Sequence, residues 1–290
     1  MSFEEMFFRL YRQGRANGVQ ATGTTVNLPA ETRRIAVINQ KGGCGKTTTA
    51  VNLSACLAEL GCRVLLVDLD PQGHATLALG LRGDDLQQSI YDALKPNGVP
   101  LAQILQATYH PNLKIVPTNS RLASLQVELI DQPARERVLS TRLDEVAAWF
   151  NFILIDCPPS LNILSLNALT AATHVIIPIQ THFLSLDGMR ELFKTIQVVR
   201  AEYNPKLEIL GILPTLFDQR TRLNRAMLST IREYFKGQVF DTVIHYSSPL
   251  SECSMMGLPV TRYAPQTRGA DNYRRLAGEL LNSPHAAAGS

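Results

Sequence analysis

The stretch NQKGGCGKTTTA, Asn39 to Ala50, decides the fold. It follows a short apolar run, RRIAVIN (33–39), and leads into KTTTAVNLSACLAELG (46–61), a helical pattern ended by Gly61. A strand, a glycine-rich turn, Gly-Lys-Thr and a helix form the context of a phosphate-binding loop. Gly42, Gly43 and Gly45 let backbone N–H groups turn toward a polyphosphate, and the helix starting near Lys46 presents its positive end to the same anion. Lys46 is placed to bridge β- and γ-phosphates and the Thr47 hydroxyl to bind Mg²⁺, with Cys44 and Thr48 inside the same loop. One position departs from the usual pattern. A glycine is expected five residues before Gly45, but Gln40 stands there and Lys41 follows it. At the loop entry a side chain can point away from its own cradle. A second subunit placed face to face would then put the Lys41 ammonium on the opposite nucleotide, in the manner of a trans-acting arginine finger.

Outward from the loop the chain alternates. RVLLVDLD (63–70), LKIVP (113–117), FILIDCPP (152–159), THVIIPI (173–179), LEILGILP (207–214) and FDTVI (240–244) have strand character. Helical patterns lie around 84–95, 121–149, 160–172, 185–203, 221–236 and 269–281. Continuous apolar strands separated by helices predict an α/β fold: a doubly wound, mostly parallel sheet with helices on both faces, of the P-loop NTPase type. Asp68 and Asp70 close one strong strand and Asp156 closes another, at the carboxyl ends where open α/β sheets place ligands. Alternation sends Asp68 and Asp70 the same way, and Pro71, Gln72 and Gly73 break the strand into a loop.

Composition excludes several classes. With 45% hydrophobic and 18% charged residues, the 290-residue chain suits a globular protein with a sizeable core. A net charge of +3 is too small to imply nucleic acid, so any basic surface must come from local clustering. The five cysteines show no CxxC pair, which argues against a zinc site or disulfide framework and fits a cytoplasmic location. No apolar run approaches the ~20 residues of a membrane span, and no membrane partner is expected. Residues 1–31 form an extension: Phe3, Phe7, Leu10 and Tyr11 share a helical face and a Gly/Thr/Asn-rich tether follows. That helix either docks on the main domain or grips a partner. Residues 32–282 form the main domain and 283–290 a disordered tail.

KGGCGKTT resembles the deviant Walker A motif of the ParA/Soj/MinD family of ATPases. VLLVDLDPQGHAT (64–76) is similar to the family's first switch segment, FILIDCPPSLNILSLNAL (152–169) to its Walker B strand and second switch, and FLSLDGMRELFKTIQVVR (183–200) and YRRLAGELL (273–281) to its ParA/Soj branch. The resemblance implies slow, partner-stimulated ATP hydrolysis with Mg²⁺. It implies an ATP-dependent homodimer in which Lys41 reaches the partner's phosphates. It assigns Asp70 to the attacking water, Asp68 to the Mg²⁺ shell and Asp156 to Mg²⁺ through water. It implies non-specific DNA binding on the nucleoid, a ParB-like stimulating partner, and a role in partitioning DNA or other cargo.

The segment IHYSSPLSEC (244–253) departs from the branch. The residues beside the adenine become His245 and Ser247, and two arginines become Tyr246 and Pro249. Other basic residues remain as candidate DNA contacts: Arg220, Arg222 and Arg225 in DQRTRLNR, and Arg274 and Arg275 near Arg262 and Arg268. Grouped arginines suit salt-sensitive binding to phosphates rather than base reading. The alternatives are a relative that positions cargo through a protein scaffold without DNA, a MinD-like cell-division regulator, and an iron–sulfur reductase that would need a second cysteine to join Cys157 at a dimer bridge.

Overall fold

The computed structural model describes residues 28–181 and 186–282. The expected N-terminal helix, most of its tether and the tail 283–290 lie outside the described residues. Seven strands form one sheet: β1 (Arg33–Val37), β2 (Val64–Asp68), β3 (Gln106–Ala107), β4 (Leu113–Val116), β5 (Phe152–Asp156), β6 (His174–Gln180) and β7 (Glu208–Thr215). Their order is β3-β4-β2-β5-β1-β6-β7. Every pairing is parallel except β3 with β4, a two-residue antiparallel edge that the apolar pattern of the sequence does not announce.

The helices are α1 (Lys46–Glu59), α2 (His74–Ala78), α3 (Ile90–Leu94), α4 (Leu125–Glu128), α5 (Val138–Asp144), α6 (Ile163–Ala171), α7 (Leu186–Glu202), α8 (Arg222–Tyr234), α9 (Ser248–Met255), α10 (Val260–Tyr263) and α11 (Arg268–Asn282). Alternation along the central strands feeds two separate cores. Leu65, Val67, Ile153 and Ile155 pack on one face beneath α3, α5, α6 and α7. Val64, Leu66, Phe152 and Leu154 pack on the other beneath α1 and α11. All five residues of β2 and of β5 are buried, which is why these strands are apolar throughout rather than alternating. Among the described residues, no helix is long and apolar enough to cross a membrane.

Three expectations fail. Residues 240–244 do not form a strand; only isolated bridges at Val239 and His245 join the segment to β7 and its end. The Phe240 ring sits over Gly211, where a Cβ would lie 2.6 Å from it, and Glu279 of α11 takes the backbone N–H groups of Asp241 and Thr242 at 2.7 and 3.0 Å. Those donors are lost to a ladder. The single helical pattern over 121–149 is a chain of short turns with α4 and α5 between them. Pro133 and Ala134, whose φ of 52° is left-handed, interrupt it. The pattern over 84–95 yields a 3-10 turn at Gly83–Asp85 and the short α3, which starts where Asp92 accepts from the Ser89 N–H.

Candidate functional site

The loop between β1 and α1 has the backbone shape of a cradle. Gly43 and Gly45 have φ of 71° and 87°, which an L side chain rarely adopts, and a Cβ built on Gly42 meets nothing within 4 Å. Packing therefore does not explain Gly42; close approach of a ligand does. Gly45 precedes α1 with no side-chain cap, so the first N–H groups of the helix remain available to an anion. The Lys46 side chain is buried, and its Nζ donates to the carbonyl oxygen of Lys41 at 3.1 Å. Lys41 is half-buried at the loop entry, where its N–H donates to Asn39 Oδ1 at 3.1 Å. With Asn39, Gln40, Gln180 and Met189 it lines a cleft of about 300 Å³.

Two flanking strands fasten this loop. Gln180 Nε2 donates to Gly43 O at 2.7 Å, and Asn39 Nδ2 to Pro178 O at 2.7 Å. Thr215 Oγ1 lies 2.9 Å from Cys44 O and 3.1 Å from Ile179 O. Sequence reasoning missed Asn39, Gln180 and Thr215. The available signal was a polar residue closing an apolar run, seen at all three positions. Leu216, next to Thr215, has a left-handed φ of 53°, a conformation costing ~1 kcal/mol or more for a branched side chain. The opposite side of α1 is held by α10 and α11: Tyr273 and Thr49 hydroxyls lie 3.2 Å apart, and Asn52 Oδ1 accepts from Val260 N at 2.7 Å.

The three predicted carboxylates converge on the carboxyl ends of β2 and β5, where Asp68 and Asp156 are register partners. Their surroundings differ. Asp68 is fully buried and hydrogen-bonded: Oδ2 accepts from Thr76 N at 2.7 Å and Thr76 Oγ1 at 2.6 Å, and Oδ1 from Asp70 N at 3.3 Å. Burial pushes its carboxyl up to about 7 despite those donors. Asp156 is equally buried, yet neither oxygen has a hydrogen-bond partner. Burial, then the neighbouring Asp68, raise its carboxyl well above the usual range, while the Thr47 hydroxyl beside it and the Lys46 ammonium pull the other way. A buried carboxylate with only a threonine hydroxyl beside it, next to a phosphate loop, is chemically matched to a divalent cation. Asp70 is buried, and its Oδ1 accepts from Gln72 N at 3.0 Å within the loop that follows β2.

Cys44 and Cys157 are buried, and desolvation raises both thiols, so the structure gives them packing roles. An inaccessible Cys157 also removes the dimer-bridging cluster that a reductase needs.

The candidate basic residues divide. Arg220 is exposed and forked onto Asp218, with Nη2 2.9 Å from Oδ2. This pair holds the Asp218 carboxyl down to about 2. Arg225 donates to Gln219 O at 2.7 Å, and Arg268 to Gln219 Oε1 at 3.0 Å, so the start of α8 and the start of α11 meet at Gln219. Arg222 and Arg275 are exposed. Arg274 instead donates to Pro265 O at 2.8 Å and Asp271 Oδ1 at 3.0 Å, and Arg262 lies over the Tyr109 ring.

Comparison with known proteins gives a consistent set. A family model described as an AAA domain matches residues 32–209. The sporulation initiation inhibitor protein Soj of Bacillus subtilis is 44% identical over 246 residues, 85% of this chain and 97% of its own. The chromosome partitioning protein ParA of Myxococcus xanthus is 43% identical over 249 residues, 86% of this chain and 88% of its own. A solved structure described as cobyrinic acid a,c-diamide synthase from Mycobacterium smegmatis, with bound ATP analogue and magnesium, is 38% identical with a TM-score of 0.76, covering 86% of this chain and 94% of that one.

Proposed function

Because this chain belongs to the ParA/MinD family of P-loop ATPases, we propose that it is a ParA-type positioning ATPase whose nucleotide state switches a dimer on and off the nucleoid. ATP and Mg²⁺ are its cofactors. The observation that carries the reading is the pair of lysines on one loop, with the Lys46 ammonium resting on the Lys41 carbonyl.

The loop amides, Lys46 and Thr48 hold the triphosphate. Thr47 and Asp156 would hold Mg²⁺, which would neutralise phosphate charge. Asp68 backs the metal shell from within the fold, and Asp70 orients the attacking water. Lys41 reaches the nucleotide of a second copy and stabilises charge on the transferring phosphoryl group. Arg222 and Arg275, with Arg220, Arg225 and Arg274 at the edges, contribute backbone contacts to DNA, and a ParB-like protein stimulates hydrolysis and release. Hydrolysis is then a timer for a binding switch.

Sedimentation of wild type and Lys41→Ala with Mg²⁺ and a non-hydrolysable ATP analogue tests this. The wild type should form a dimer and the variant should bind nucleotide as a monomer; equal dimerisation would overturn the role of Lys41. A second reading, positioning of cargo through a protein scaffold, is favoured by the engagement of Arg220 by Asp218 and by Tyr246 and Pro249 standing where the branch carries arginines.

A further inference from the structure

Asp68 and Thr118 belong to different strand ends, and the side chain that joins them is Thr76, the third residue of α2. All three residues are buried. The Thr118 N–H lies 3.0 Å from Thr76 Oγ1, and an amide N–H can only donate. The hydroxyl therefore accepts from Thr118 and directs its own proton to Asp68 Oδ2, 2.6 Å away. The Thr76 N–H donates to the same oxygen at 2.7 Å. On the other side of the carboxylate, Oδ1 accepts the Asp70 N–H at 3.3 Å.

The result is a closed ring. The loop 69–75 leaves β2 at Asp68 and returns to it at Thr76, and the return point is itself tied to the segment after β4. Gly83 adds to the clamp, since a Cβ there would lie 2.1 Å from Thr118 O. Only a hydroxyl both accepts and donates at this position, so no apolar isostere reproduces the ring.

We infer that Thr76 is a positioning residue for hydrolysis: it fastens the loop carrying Asp70 to the sheet, and it keeps the Asp68 carboxylate turned into that loop. The inference rests on the assignment of Asp70 to the attacking water. Thr76 is buried in the fold and acts through Asp68. Its hydroxyl should therefore govern turnover more than nucleotide affinity.

The test is steady-state ATP hydrolysis by the full chain as wild type, Thr76→Val, Thr76→Ser and Asp70→Ala, with nucleotide affinity measured separately using a fluorescent ATP analogue. Thr76→Val should lower kcat at least tenfold while KM and analogue affinity stay within about threefold, and Thr76→Ser should restore kcat to within about threefold of wild type. Thr76→Val with wild-type kcat, or Thr76→Ser as impaired as Thr76→Val, overturns the inference. Loss of hydrolysis in Asp70→Ala beside an unimpaired Thr76→Val would sink this proposal alone, whereas a wild type without ATP hydrolysis would sink the functional reading beneath it. Should Thr76→Val fail to fold, hydrogen exchange of wild-type residues 113–120 decides. The Thr118 amide should be as protected as the amides of β4, and exchange as fast as in exposed loops overturns the ring.

Discussion

Lys46 Nζ donates to the carbonyl oxygen of Lys41 across the mouth of the phosphate loop, at 3.1 Å. The ammonium that must meet phosphate oxygens is thus held by an oxygen of its own loop, and the same bond fixes the backbone of the residue proposed to serve a second subunit. Binding a triphosphate replaces this contact with a stronger, charge-assisted one. Lys46→Ala should therefore abolish nucleotide binding, whereas Lys41→Ala, which keeps the carbonyl, should retain it. Isothermal titration with ATP and Mg²⁺ checks both, and comparable loss of affinity in the two variants would contradict the division of labour.

Thr215 reaches the loop from β7. Replacing it with valine keeps the volume and removes the hydroxyl that lies against Cys44 O and Ile179 O. A net hydrogen bond of ~1 kcal/mol is at stake in stability. If the anchor contributes ~1.4 kcal/mol to the binding-competent loop, ATP affinity falls about tenfold. Thermal melts and ATP titration of Thr215→Val should show both effects. An unchanged affinity would mean that the loop keeps its shape without β7.

Burial raises the carboxyls of Asp68 and Asp156 above their unfolded value near 4. The folded, nucleotide-free protein therefore binds protons that the unfolded chain has released. This contribution is complete below about pH 4, and the share of Asp68 is lost as pH rises through about 7. Calorimetry without nucleotide should show Tm falling from about pH 5 to about pH 8, with a flatter profile in Asp156→Asn. A wild-type Tm rising across that window would count against the buried carboxylate pair.

Arg275 and Arg274 are neighbours in sequence, both are exposed, and only Arg274 is held by Asp271 and Pro265. If the patch near Gln219 binds DNA, Arg275→Ala should weaken ATP-dependent binding and reduce the salt slope by ~0.9 for each phosphate that is no longer neutralised. Arg274→Ala should change it less. Binding assays over rising salt separate the cases, and no DNA binding by the wild type with ATP would favour the protein-scaffold reading.

Much of this was legible in the residues themselves. The phosphate loop, the three strand-end aspartates and the parallel doubly wound sheet depend on short-range order: glycines where φ is positive, a lysine at a helix start, apolar runs that make sense only when both faces are covered. Such features repeat the same local physics wherever they occur, so adjacent residues suffice to state them. Other features arise from contacts between distant segments. Residues 240–244 have strand composition, but the Glu279 carboxylate on α11 takes the N–H groups of Asp241 and Thr242. Asp68 and Asp156 carry the same chemical group at the same depth, and only their neighbours separate them: one carboxylate is enclosed by Thr76 and the Asp70 amide, the other has only the Thr47 hydroxyl beside it. A carboxylate's role is set by what surrounds it in space, and that arrangement exists only once the sheet has brought the strand ends together.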